Sequence, residues 1–184
     1  GYPVALTLGG VGDLDSHGNA RASVEPVLVR MQRREILSDV FSVRWNAGEP
    51  SGQESVRASL RAIQRAGEGV LVYLRGHEGR GIGLGHQIRA YSLQEEGRDT
   101  VDANVELGLP VDSREYGIGA QSLNDLGITT MRLMTNNPSK FGGLEGFGLE
   151  ITDRVPLESA PNPENIEYLR TKRERMGHLL EGLD

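Results

Sequence analysis

Apolar positions recur along this chain with two different periods. "PVLVRMQ" (26–32) and "GVLVYLR" (69–75) are short runs rich in β-branched residues, which predicts buried strands. "MRLMT" (131–135) and "LEIT" (149–152) predict two more. Between them the period lengthens. Val56, Leu60 and Ile63 stand at i, i+4 and i+7, as do Leu84, Ile88 and Tyr91, and Tyr116, Ala120, Leu123 and Leu126 repeat the pattern. Each set predicts a helix with one apolar face. A last helix is predicted over 163–181, where Ile166, Leu169, Met176 and Leu179 are spaced among charges after the breaker "ESAPNP". It reads as a helix docked on the domain or bound to a partner.

Residues 9–25 ("GGVGDLDSHGNARASVE") are glycine-rich and polar without any period, so they read as a surface loop between an N-terminal strand and the next. The whole N-terminal segment, residues 1–25, is expected to be flexible. A chain of 184 residues with 37% apolar content can bury one sizeable core but not two ordinary ones, which predicts a single domain over 1–184.

A formal charge of −6 argues against a general nucleic-acid surface, so an anionic ligand must be met by local clusters of arginine. No run approaches the roughly 20 apolar residues of a membrane span, and the expected compartment is the cytoplasm. The absence of cysteine excludes disulfides and thiolate metal sites, leaving His17, His77, His86 and His178 as the nitrogen ligands.

The stretch "LRGHEGRGIGLGHQIRAY" (74–91) places a glycine-rich turn between a strand ending near Leu74 and a helix beginning near Ile82. A strand, a loop and a helix N-terminus suit anion capture, because the first helical N–H groups lack partners and point outward. Arg75 and Arg80 add planar forks that match phosphate oxygens, and Glu78 can accept from a base or hold a cation. The alternative is that the glycines only turn the chain and the arginines are solvated. "GRGIG" is neither a Walker loop, since no Gly-Lys-Ser/Thr follows, nor a convincing dinucleotide fingerprint.

This loop joins "DTVDANVELGLPVDSREYGIGAQSLNDLGI" (99–128), "LMTNNPSK" (133–140) and "YLRTKRERMGHLL" (168–180) in one order along the chain. Together these segments resemble the GTP cyclohydrolase II family of riboflavin biosynthesis, from about Pro26 onward. The resemblance implies a mixed α/β (α+β) fold, a homodimer and an active site near the glycine-rich loop. In the family a nucleoside triphosphate loses pyrophosphate, a zinc-bound water opens the imidazole ring to release formate, and magnesium assists the phosphate step. By the same resemblance Arg30 falls on a substrate-binding arginine. Glu78, Gly79 and Arg80 fall on the segment that contacts base and phosphates. Thr100 is a further substrate contact, and Thr135 and Lys140 hold the ribose-phosphate end. Asp112 and Arg114 in "VDSREYG" fall on the family's proton acceptor and nucleophile, and Tyr91 on a tyrosine implicated in the chemistry. A guanidinium stays protonated in proteins, so the chemistry open to Arg114 is stabilising charge that develops at phosphorus.

The departure from the family lies at its metal. Three cysteines, one in "ECLTGD" and two in "RCDCG", bind zinc there, and the segments in this chain read "EILSDV" (35–40) and "RWNAG" (44–48). Glu35 or a neighbour replaces the first, and Trp45 and Ala47 the others. Indole and methyl groups do not ligate metals and a lone carboxylate does not retain zinc, so no zinc site is expected. A base-reading glutamine is also displaced, with Gln53 shifted by an insertion. Zinc lowers the pKa of bound water from about 15.7 to about 7, and without it attack on the purine ring lacks its nucleophile.

Three functions follow from these residues. The first is a zinc-independent hydrolase acting on a purine or pyrimidine nucleotide, a uracil nucleotide included, since some relatives are associated with uracil catabolism. The second is pyrophosphate release from GTP without ring opening. The third is a catalytically silent nucleotide-binding subunit. The first is favoured, because Tyr91, Asp112, Arg114 and Lys140 all persist while only the metal shell is gone. In the former metal pocket, Trp45 suits stacking on a base as well as a place in the core or dimer interface.

Overall fold

The computed structural model describes residues 2–44, 50–75, 84–95, 117–136 and 144–157; of Tyr91 it describes the backbone. The two strongest apolar runs form the middle of a five-stranded sheet. They are β2 (Val27–Arg33) and β3 (Gly69–Leu74), with β1 (Val4–Leu8), β4 (Thr130–Met134) and β5 (Glu150–Val155) added in the order β1-β3-β2-β4-β5. The pairs β2/β3, β2/β4 and β4/β5 are parallel, and β1 runs antiparallel to β3. This is the mixed α/β architecture that the sequence led one to expect.

Alternation along the strands divides the core into two layers. Val27 and Val29 of β2, Val70, Val72 and Leu74 of β3, and Met131 and Leu133 of β4 pack with Ala120, Leu123 and Ile128 on one face. Leu28, Leu71 and Met134 pack with Ile63 on the other. Each such fully buried aliphatic side chain contributes about 1.5–3 kcal/mol.

Helix α1 is a single turn, Ile36–Asp39, and α2 runs from Gly52 to Ala66 across the second face. Ser51 caps α2 through a capping box: its Oγ accepts from the Glu54 N–H at 3.2 Å, and its own N–H donates to Glu54 Oε2 at 2.8 Å. The stripe that α2 buries differs from the expected one. Leu60 is exposed and Ser59 is buried in its stead, its hydroxyl satisfied by the Ser55 carbonyl at 2.7 Å. The small serine lets helix and sheet approach.

Helix α3 spans Leu84–Glu95, and Ile88, expected on a buried face, is exposed. Helix α4 (Gly117–Asp125) lies on the first face close to β2: a Cβ at Gly119 would stand 2.2 Å from the Met31 methyl. It ends at Gly127, whose φ of +76° and proximity to the Arg21 carbonyl (2.3 Å from an added Cβ) leave room for no side chain.

The segment expected to be flexible, residues 1–25, holds a paired strand and a packed loop. Val11 is buried in the first core layer, and Ser23 N–H donates to the Gly127 carbonyl at 3.0 Å. Asp15 Oδ1 accepts from the N–H groups of His17 and Asn19 at 2.8 and 2.9 Å, which turns the loop locally. Lack of period marked the segment as irregular, but irregular backbone packs when its polar groups find such partners. The C-terminal helix predicted over 163–181 lies outside the described residues.

Candidate functional site

In an open parallel sheet a ligand crevice forms at the carboxyl ends of the strands, where successive connections leave in opposite directions. Here the chain passes from β2 to β3 on one side and then returns to β4 on the other, so that point lies between β2 and β4. The β2/β4 ladder runs from Val27↔Met131 to Val29↔Leu133, while β2/β3 continues to Arg33↔Leu74. Beyond Val29 the two strands part.

Arg30 fills the parting. Its Nη1 donates to the Met134 carbonyl at 3.1 Å and its Nη2 to Gln32 Oε1 at 2.9 Å, while its Nε–H is buried and makes no hydrogen bond. Burial pushes its pKa down to about 10, the nearby Arg33 guanidinium adds to the shift, and the Asp39 carboxylate opposes it. At neutral pH the group stays cationic. A half-buried cation with a buried, unsatisfied Nε–H at this crevice is suited to an anionic ligand.

Asp39, at the end of α1, gathers the surrounding donors. Tyr73 Oη donates to its Oδ2 at 2.5 Å, the Glu35 N–H to the same oxygen at 2.9 Å, and Gln32 Nε2 to its Oδ1 at 3.4 Å. Thr135, directly after Met134, is buried, and its N–H extends the β4/β5 ladder to the Val155 carbonyl at 2.8 Å. Asn136 then clamps the chain after β5: its Oδ1 accepts from Leu157 N–H at 2.7 Å and its Nδ2 donates to the Leu157 carbonyl at 3.1 Å.

Of the residues to which the family resemblance gives a role, the structure brings Arg30 and Thr135 near each other, since Arg30 reaches the carbonyl of Met134, the residue before Thr135. Glu78, Gly79, Arg80, Thr100, Asp112, Arg114 and Lys140 lie outside the described residues. Tyr91 belongs to α3. Gln53 is occupied on the surface, accepting from Ser42 Oγ at 2.8 Å. Beside it Arg44 is paired with Glu54, so 42–44 is tied to the first turn of α2. Gln32, Asp39, Tyr73 and Asn136 were missed by the sequence reading. A signal existed for Gln32 and Tyr73, since each interrupts an otherwise apolar strand with a polar group that needs a partner.

The family's zinc can be tested against the donor chemistry. The chain has no cysteine. Where the first thiolate would stand, Glu35 and Ile36 enter α1, and the neighbouring Asp39 carboxylate is occupied by Tyr73, Gln32 and the Glu35 N–H. Trp45 and Ala47 lie outside the described residues, and neither side chain type ligates a metal. This donor set does not fit a thiolate-bound zinc.

The sheet and its crevice define an α/β protein of the switch-point class. More narrowly, the chain belongs to the GTP cyclohydrolase II family, whose model matches residues 2–156. It is 54% identical over 182 residues to riboflavin biosynthesis protein RibBA of Rhodococcus erythropolis, covering 98% of this chain and 40% of the relative. It is 58% identical over 154 residues to the probable bifunctional riboflavin biosynthesis protein RIBA 2, chloroplastic, of Oryza sativa, covering 83% and 27% respectively. With the monofunctional RIBA 3, chloroplastic, of Arabidopsis thaliana the identity is 55% over 156 residues, covering 84% and 30%. The chain thus spans about two fifths or less of these relatives' length. Among the described residues no helix is long and apolar enough to cross a membrane.

Proposed function

We propose that this chain is a zinc-independent nucleotide hydrolase that binds a nucleoside triphosphate at the carboxyl ends of β2 and β4, with GTP as the first substrate to try. The observation that carries the reading is the half-buried Arg30 cation, with a buried and unsatisfied Nε–H, in the switch-point crevice of a GTP cyclohydrolase II family member. The family's name favours GTP, a purine triphosphate, and the riboflavin names of its relatives accord with that family. The loss of every thiol favours chemistry at phosphorus over ring opening.

In the hydrolysis a water oxygen bonds to the phosphorus under attack, the bond to the bridging oxygen breaks, and the phosphate leaving group departs with the electron pair. Asp112 accepts the proton of the attacking water. Arg114 and Lys140 offset charge on the phosphoryl oxygens, Arg80 and the glycine-rich backbone grip the polyphosphate, and Tyr91 takes part in the chemistry. Thr135 holds the ribose-phosphate end with Lys140, Thr100 is a further substrate contact, and Glu78 and Gly79 serve the base and phosphates. Magnesium, where bound with the nucleotide, would neutralise phosphate charge. The proposed unit is a homodimer in the cytoplasm. Exposed Val4, Leu6 and Leu8 on one face of β1 support an association surface.

The test is incubation with purine and pyrimidine mono- and triphosphates, uracil nucleotides included, with magnesium and with products resolved by mass spectrometry. Turnover of a triphosphate without formate is expected. Robust formate release from GTP would show that water is activated for ring opening without thiolate-bound zinc. Tight binding without turnover would leave a silent nucleotide-binding subunit.

A further inference from the structure

Asp39 has no role in the chemistry outlined above, yet it ties β2, β3, α1 and the start of α2 together beside the crevice. Its carboxylate takes the Tyr73 hydroxyl from the end of β3, just before Arg75 and the glycine-rich segment. It also takes the Gln32 amide from the end of β2 and the Glu35 N–H at the entry to α1. It rests against the first residue of α2, where a Cβ at Gly52 would stand 1.8 Å from Oδ1. The position suits an anion, because the N-terminal end of a helix carries partial positive charge.

The direction of the bonds matters more than their number. A carboxylate only accepts, so Gln32 must turn its Nε2–H₂ toward Asp39, and its Oε1 is then left facing Arg30 Nη2 at 2.9 Å. Asp39 therefore sets the polarity of a three-residue relay that ends on the guanidinium. An asparagine there cannot do this. The Glu35 N–H cannot become an acceptor, so the asparagine oxygen would stay on that side and its NH₂ would face the Gln32 NH₂. Gln32 would have to flip its amide, presenting N–H groups to a cation.

We propose that Asp39 is a positioning residue of the nucleotide site, holding Arg30 through Gln32 and the end of β3 through Tyr73. The inference rests on the nucleotide-binding reading above. It is tested by calorimetric titration of magnesium and GTP, well below the melting temperature, into the native chain and into Asp39→Asn, Tyr73→Phe, Arg30→Lys, the double variant Asp39→Asn/Arg30→Lys and Ser38→Ala.

The affinity is expected to fall about tenfold in Asp39→Asn, the order of one lost bond to a charged group, and about threefold in Tyr73→Phe, which leaves the carboxylate and its bond to Gln32 in place. In the double variant the loss should be no larger than in the worse single variant, because both act on one guanidinium. Ser38→Ala removes the bond from the Gly52 N–H to Ser38 Oγ (2.7 Å) in the same α1/α2 junction and should lower the melting temperature without altering affinity. Should Asp39→Asn not fold, Tyr73→Phe carries the test. Native-like affinity in Asp39→Asn, or in Tyr73→Phe where that variant stands in, overturns the positioning role alone, as do multiplying losses in the double variant. Absence of nucleotide binding by the native chain overturns both this role and the function on which it rests.

Discussion

The side-chain amide of Asn136 pairs with the backbone of Leu157 through two hydrogen bonds, accepting at 2.7 Å and donating at 3.1 Å. The second residue after the end of β4 thereby fixes the chain two residues after the end of β5. Asn136→Ala removes both partners and leaves a part-buried N–H and C=O to water, which is expected to destabilise the fold by about 1–3 kcal/mol. Urea unfolding of the two proteins measures it; a change within experimental error would mean that solvent replaces the clamp at no cost.

Phosphate grip by the loop and the "TNNPSK" segment predicts that Arg80→Ala and Lys140→Ala each weaken nucleotide binding by about 1.5–3 kcal/mol, the range of bonds to charged groups. Calorimetry on folded variants reads this directly. Unchanged affinity in both would make the retained motif a relic.

Glu54 is held below the ordinary carboxylate range, first by the Ser51 N–H and then by Arg44, against an opposing effect of burial. Since the folded group titrates below its unfolded value near 4.5, its ionised form adds stability that is fully present above that pH and is lost as pH falls through the lowered folded value. The melting temperatures of the native chain and Glu54→Gln should therefore differ at neutral pH and converge in acid. A gap that persists at low pH would contradict this sign.

With no thiol in the chain, purified protein is expected to carry no stoichiometric zinc. Elemental analysis after chelation settles the matter, and about one zinc per chain surviving that treatment would reveal a site built from other donors.

The regions of this fold that a linear reading reaches are those where one physical cause dominates. Val27, Val29, Val70 and Val72 declare their strands because a strand buried on both faces must be apolar throughout. The middle of α4 is equally plain, since Ala120 and Leu123 bury at the expected spacing. Leu60 misled because periodicity locates a stripe only to within a residue or so, and close packing chose Ser59. Helix α1 is too short to show a period at all. The network of Arg30, Gln32, Asp39 and Tyr73 was illegible for another reason: its members lie on three elements, and only the parallel register of β2 and β3 brings Gln32 opposite Tyr73. Motif resemblance supplied Arg30 but nothing of what holds it.

Strand β1 stands apart from the parallel strands in the order of assembly it imposes. Residues 4–8 must find 69–73, so this pairing closes a long loop, whereas its exposed Val4, Leu6 and Leu8 gain little burial in return. The β2-to-β3 unit encloses its own helix and reaches its register without β1. In the monomer such a strand joins late in folding and opens first: its amides are expected to exchange with solvent deuterium well before those at the centre of β2 and β3, through local opening rather than global unfolding. Equal protection across all three strands would mean that something covers β1 in solution. The sheet is thus a self-sufficient parallel centre with one detachable margin.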